Sequence, residues 1–280
     1  MARYTTRKKN AICHPRVHGR KASPDKCLPS DTLTELGKSM GAPNIKGSKL
    51  RHWMTRRTRC KSDRCWLEKA RMDGGRKKAL IQTYFRPTMP DSWVNDPDEW
   101  LDSNNIADVI KQYEEIHPEF KFFGTNPIDF AAPDPYTDGA AGKCLEDAIC
   151  KLNLKTLQAE GKTKLGFVYN LDPSNKGGSH WIASFTDIPG HRTYYFDSYG
   201  IKPPHQIARF MRSLTLQDPA MKLSYNSRRF QFGNSECGMY SIYFLICMLE
   251  GENFKKFCRR APRDGEMLAL RSVLFAPKTQ

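Results

Sequence analysis

The most constraining stretch of the chain is residues 231–249, QFGNSECGMYSIYFLICML, where a polar, turn-forming segment runs straight into an almost wholly apolar one. Three turns of helix carrying Ile242, Phe244, Leu245, Ile246 and Leu249 are apolar on nearly every face, so this helix has to pass through the middle of a domain. The preceding Phe232-Gly233-Asn234-Ser235 segment delivers Cys237 to its first position. Unpaired backbone N–H groups and the macrodipole favour negative charge there, which suits a thiolate. Cys237 is therefore a candidate nucleophile. The alternative is a buried structural cysteine at the head of a core helix, the commoner fate of a free thiol.

At 280 residues and 39% hydrophobic content the chain can form one large domain or two modest ones. No apolar run reaches membrane-spanning length, and the basic N-terminus MARYTTRKKN has no apolar segment after it, so a soluble, intracellular protein is expected. Nine cysteines, an odd number without a regular framework, predict reduced thiols rather than disulfides. The formal net charge of +15 is uneven: residues 1–90 hold 23 Lys and Arg against 6 Asp and Glu, whereas residues 91–280 hold 22 against 24. This shift predicts a basic helical N-terminal extension over 1–90, its first 30 residues a flexible arm, and a second domain over 91–280.

Within the extension, helices are expected from Asp31 (capped by Ser30 or Asp31), over 45–58, and over 65–72, the last closed by Asp73-Gly74-Gly75. Residues 84–99 read as a connector. Trp100, Leu101, Ile106, Val109, Ile110, Tyr113 and Ile116 fall at helical spacing up to His117-Pro118, with Asn104 and Asn105 interrupting the start. Residues 120–130 look extended, 131–142 form a Pro/Gly/Asp loop, and 144–158 a short helix. Strands follow at 164–171, 180–188 and 193–199, then a helix over 203–216 and a strand over 222–230. The second domain is thus α+β, with the helix after Cys237 packed on a central sheet.

His180 opens one of these strands and Asp197 ends the next; paired through Pro189-Gly190, the two fall near one edge of the sheet. Cys237 could then attack a carbonyl, His180 carry the proton, and Asp197 fix the imidazole tautomer. The backbone N–H of Cys237 and the side-chain amide of Gln231 could receive the oxyanion. Taken singly these are also a core histidine, a turn aspartate and a surface glutamine; their joint presence favours a Cys-His-Asp triad. That chemistry calls for no metal or other cofactor. Cys13, His14, His18, Cys27, His52, Cys60 and Cys65 raise the question of zinc in the extension, but at no recognised finger spacing, so ordinary thiols are expected. The charge of the extension makes DNA or another polyanion a candidate partner, against the alternative of a solvated helix face.

The order His180-Trp181, Phe196-Asp197-Ser198, Gln231, Cys237-Gly238 resembles the cysteine proteases that include the ubiquitin-like (SUMO) proteases and the adenovirus endopeptidase. Within that superfamily the chain looks most like the polyprotein-processing proteases of African swine fever virus and its giant-virus relatives, with Phe120-Lys121-Phe122-Phe123, residues 127–130 and the Cys60, Cys65 pair adding to the likeness. The resemblance implies a papain-like or adenain-like core with a central mixed sheet and buried helix, beside a basic helical N-terminal domain. It implies a viral maturation endopeptidase that cuts structural precursors after Gly-Gly, in the host cytoplasm (viral factory) and the virion. Trp181, and with it Trp100, would bind substrate by flanking a groove that admits only glycine. Asp197 matches the cellular branch, whereas viral relatives can carry another residue there. Two alternatives remain: a deconjugase of SUMO or ubiquitin-like modifiers, and a basic nucleic-acid-binding protein on a protease scaffold.

Overall fold

The computed structural model describes residues 12–17, 26–134 and 143–277. Most of the arm expected over 1–30, including His18, and most of the loop expected over 131–142 lie outside the described residues. The chain divides into two compact units, residues 1–96 with 269–280, and residues 97–268. The sequence boundary near residue 90 had grouped 269–280 with the second domain.

In the first unit, α1 (Ser30–Ser39), α2 (Gly47–Thr58), α3 (Asp63–Lys69) and α4 (Gly74–Tyr84) enclose Leu36, Leu50, Met54, Trp66, Leu67 and Phe85. Asp73-Gly74-Gly75, expected to close a helix, opens α4 instead, because the Asp73 carboxylate accepts from Arg76 N (2.9 Å) and caps the new turn. Ser30 and Asp31 do not cap α1, whose N-cap is Pro29. Asp63 is fully buried, where it accepts from Leu28 N (2.8 Å) and pairs with Arg51.

The cysteines overturn the expectation of reduced thiols. Cys13–Cys27, Cys60–Cys65 and Cys144–Cys150 are disulfides, with Cα separations of 5.1, 5.6 and 6.4 Å, within bonding reach. Parity and spacing say nothing about which cysteines the fold brings together. The odd total reflects three free thiols, Cys237, Cys247 and Cys258.

The second unit is built on a five-stranded mixed sheet in the order β1 (Phe120–Pro127), β2 (Lys164–Asn170), β3 (Trp181–Asp187), β4 (Arg192–Phe196), β5 (Lys222–Tyr225). The outer pairs are parallel and the β2–β3–β4 meander is antiparallel. Both faces are covered, which explains strands buried almost end to end. Leu165, Phe167, Tyr169, Ile182 and Tyr195 face a cluster with Ile207, Phe210 and Leu214 of α8 (His205–Gln217). The alternate residues face α9 (Cys237–Leu249), where Phe196 stacks on Phe244 at 5.1 Å. Every residue of α9 is buried, as its composition requires. At about 1.5–3 kcal/mol per large apolar side chain, this burial is a main source of cohesion in the unit.

α5 (Ser103–Ile116) starts in a capping box in which Asp102 accepts from Asn105 N (2.7 Å) and the Asn105 side chain accepts from Asp102 N (3.1 Å). Asn105 therefore completes the helix start it was expected to interrupt. The helix expected over 144–158 is two, α6 (Asp147–Cys150) and α7 (Leu154–Ala159), the second capped by Asn153. The strand expected over 222–230 stops at Tyr225. α10 (Phe254–Arg259) and α11 (Asp264–Leu274) complete the chain. Among the described residues no helix is long and apolar enough to cross a membrane.

Candidate active site

The antiparallel pairing of β3 and β4 brings the residue before β3, His180, and the residue after β4, Asp197, to one edge of the sheet. His180 Nε2 donates to Asp197 Oδ1 at 2.8 Å, both groups being buried. With Nε2 committed to a carboxylate that can only accept, Nδ1 is left to face Cys237, whose interaction favours the charged imidazole. Burial alone would lower the pKa of His180. The hydrogen bond to Asp197, the bond and charge of Cys237 and the charge of Asp197 outweigh it and push the group up to about 9.

Cys237 begins α9, and no side chain caps that helix, so its first-turn N–H groups keep their field for a thiolate or an oxyanion. Burial pushes the other two free thiols up, Cys258 to about 11 and Cys247 above the ordinary thiol range. Gly238, after Cys237, is closely packed. A Cβ there would stand 3.0 Å from Leu101 Cβ and 3.3 Å from Trp181 Cδ1.

Asp197 is held from several sides. Its N–H donates to Asn226 Oδ1 (2.9 Å), its carbonyl accepts from Asn226 Nδ2 (2.6 Å), and its Oδ1 also accepts from Tyr199 N (2.8 Å). The Tyr199 ring stacks on His180 with centroids 4.6 Å apart and planes 14° from parallel. Gln231 is fully buried: its Oε1 accepts from the Ser198 hydroxyl (2.7 Å) and its Nε2 donates to Gly233 O (3.1 Å), which leaves one amide proton for another acceptor. Sequence reasoning missed Ser198, Tyr199 and Asn226 as supports. The first two stand directly after Asp197 in FDSY, where a polar group and an aromatic beside the acid were the available signal. Asn226 carried no local signal, because only the return of the chain past β5 places it there.

Trp181 is mostly buried and donates from Nε1 to Leu101 O (2.8 Å), whereas Trp100 is 48% exposed. Both line a cleft of about 530 Å³ with Asn126, Gly177, Gly178 and Leu145, and His180 lies between two of its lining residues, Ser179 and Trp181. The structure therefore brings His180, Asp197 and Cys237 together, sets Trp181 over Gly238, and leaves Trp100 on the outer wall of the cleft.

A mixed sheet with a buried cysteine-headed helix, a histidine paired to an acid and a glutamine just upstream is an arrangement suited to thiol chemistry. The chain is similar in sequence to viral proteins named as thiol proteases. It is 34% identical over 187 residues to a putative thiol protease of Acanthamoeba polyphaga mimivirus, covering 63% of this chain and 57% of that one. Against a SUMO-1 cysteine protease of African swine fever virus it is 32% identical over 117 residues, 39% of this chain and 43% of that one. The chain thus spans about half the length of these curated relatives. Its fold is that of the African swine fever virus protease in its crystal structure, with a TM-score of 0.71 over 99% of both chains at 19% identity. No family model matches the chain.

Proposed function

We propose that this chain is a cysteine endopeptidase that cuts viral structural precursor polypeptides after Gly-Gly sites during virion maturation, in the viral factory of the host cytoplasm and in the virion. The observation that carries this reading is His180, which donates to the Asp197 carboxylate, has its charge favoured by Cys237, and stands between Ser179 and Trp181, two residues that line a cleft together with Trp100. Cys237 Sγ attacks the scissile carbonyl. The tetrahedral oxyanion is received by the backbone N–H of Cys237 and the free amide proton of Gln231. His180 gives its proton to the leaving amine as the C–N bond breaks, leaving a thioester on Cys237. Water, deprotonated by His180, then attacks the thioester and restores the thiolate and imidazolium. Trp100 and Trp181 bind the residues before the scissile bond, where a narrow slot favours glycine by sterics.

The test is cleavage of a Gly-Gly-Xaa peptide panel beside a SUMO-type modifier carrying a C-terminal reporter, with wild-type protein and Cys237→Ala. Peptide cleavage abolished by Cys237→Ala, with the modifier intact, is the expected result. One relative's name carries SUMO-1, so the second reading is a deconjugase, and faster cleavage of the modifier would establish it instead.

The basic extension adds a partner to this reading, DNA or another polyanion held near α2, whose last turn carries Arg56 and Arg57. Electrostatic binding predicts a steep, log-linear loss of DNA affinity with salt for the full chain. Affinity that does not change with salt would remove the partner.

A further inference from the structure

The loop that delivers Cys237 is not held by burial. Phe232 is 75% exposed and Gly233 and Asn234 are also exposed, so hydrogen bonds have to fix it. The first residue of α11, Asp264, supplies them. Its Oδ2 accepts from Phe232 N (3.0 Å) and Gly233 N (2.7 Å), and its Oδ1 accepts from the Tyr240 hydroxyl (2.9 Å). Phe232 and Gly233 precede Cys237 and Tyr240 lies one turn after it, so a single carboxylate ties the loop to the helix on both sides of the thiol. The pinned Gly233 then presents its carbonyl to two donors, Gln231 Nε2 at 3.1 Å and the Tyr199 hydroxyl at 3.3 Å. The first is the amide assigned to the oxyanion; the second belongs to the ring stacked on His180.

We infer that Asp264 is a positioning residue of the active site, which holds residues 232–233 so that the Gln231 amide keeps its place beside Cys237. This rests on the protease reading above. Because the oxyanion exists only after Sγ has attacked, misplacing Gln231 weakens an interaction of the transition state and leaves substrate binding alone.

The experiment compares wild-type full-length protein with Asp264→Ala, Asp264→Asn, Gln231→Ala and the Asp264→Ala/Gln231→Ala double variant on a Gly-Gly-Xaa peptide, with rates normalised to titrated Cys237 thiol. Asp264→Ala should lower kcat by about 10- to 100-fold at unchanged KM, short of the roughly 100- to 1000-fold that losing an oxyanion donor outright costs. Asp264→Asn, a neutral and weaker acceptor, should lower kcat by about 3- to 10-fold. The double variant should be no slower than Gln231→Ala, because both changes remove one interaction. Wild-type kcat in Asp264→Ala, a loss carried by KM, or losses that multiply in the double variant would each overturn the inference. Should Asp264→Ala fail to fold, Asp264→Asn decides by the same criteria, alone and in the Gln231→Ala background. A wild-type protein that cleaves no Gly-Gly peptide, or a Cys237→Ala variant that cleaves as well, removes the protease reading and this inference with it.

Discussion

The charge on His180 governs how the proposed mechanism responds to pH. Burial works against that charge, and the hydrogen bond that His180 donates to Asp197 leads the contributions that overcome it, so the group rises from 6.5 to about 9. A raised pKa means that the stabilisation from this pairing is complete below pH 6.5 and is lost as pH rises through about 9. We therefore expect kcat/KM to fall on the alkaline side with a midpoint near pH 9, the value of the imidazolium that protonates the leaving amine. Asp197→Ala removes the leading upward contribution and leaves the burial, so this limb should move to lower pH; a pH–rate profile with the limb unmoved would show that Asp197 does not act on His180. Gly238 gives a second expectation at this scale. A methyl group there meets Leu101 and Trp181, so these side chains or the start of α9 that carries Cys237 have to shift by a few tenths of an ångström. Gly238→Ala should cost about 10-fold or more in kcat/KM, in keeping with what small misplacements cost at reacting groups, with thermal stability little changed.

The elements that place His180, Asp197 and Cys237 depend on short turns more than on the strands themselves. Residues 197–200 form a turn in which Gly200 N donates to Asp197 O (2.8 Å), and Gly200 sits at φ +75° with Arg228 backbone 2.8 Å from where its Cβ would be. Gly200→Ala should therefore destabilise the protein by roughly 1–3 kcal/mol and reduce activity with it, because backbone strain and a backbone clash cannot be relieved by a rotamer change. Thermal unfolding together with peptide cleavage checks both effects. The β3–β4 hairpin and α9 were legible in the sequence because short β-branched and aromatic runs between turn clusters, and an unbroken apolar run, are local signals. The start of α4 was not, since Asp-Gly-Gly reads equally as the end of one helix or the cap of the next. Nor was the break between α6 and α7, where Asn153 caps a new helix instead of continuing the old one.

For the molecule as a whole, the cysteines give the sharpest expectation. Alkylation of the denatured protein without reductant should modify Cys237, Cys247 and Cys258 alone, and reduction should expose the other six. Mass spectrometry reads the difference. Finding all nine modified without reduction would return the chain to the reduced state its composition suggested.

By itself the sequence determined an α+β core around one apolar helix, the charge carried by its N-terminal third, and the identity and order of His180, Asp197, Gln231 and Cys237. Each of these is written in neighbouring residues or in the succession of motifs. Only the tertiary structure decided which cysteines pair, that Tyr199 stacks on His180, that Asn226 clamps Asp197, and that Asp264 reaches back to the loop before Cys237. Apart from the cysteine pairs five and six residues apart, these contacts join positions distant in the chain, and no local pattern of polarity or spacing encodes a distance that the packing of the sheet and its helices has yet to set.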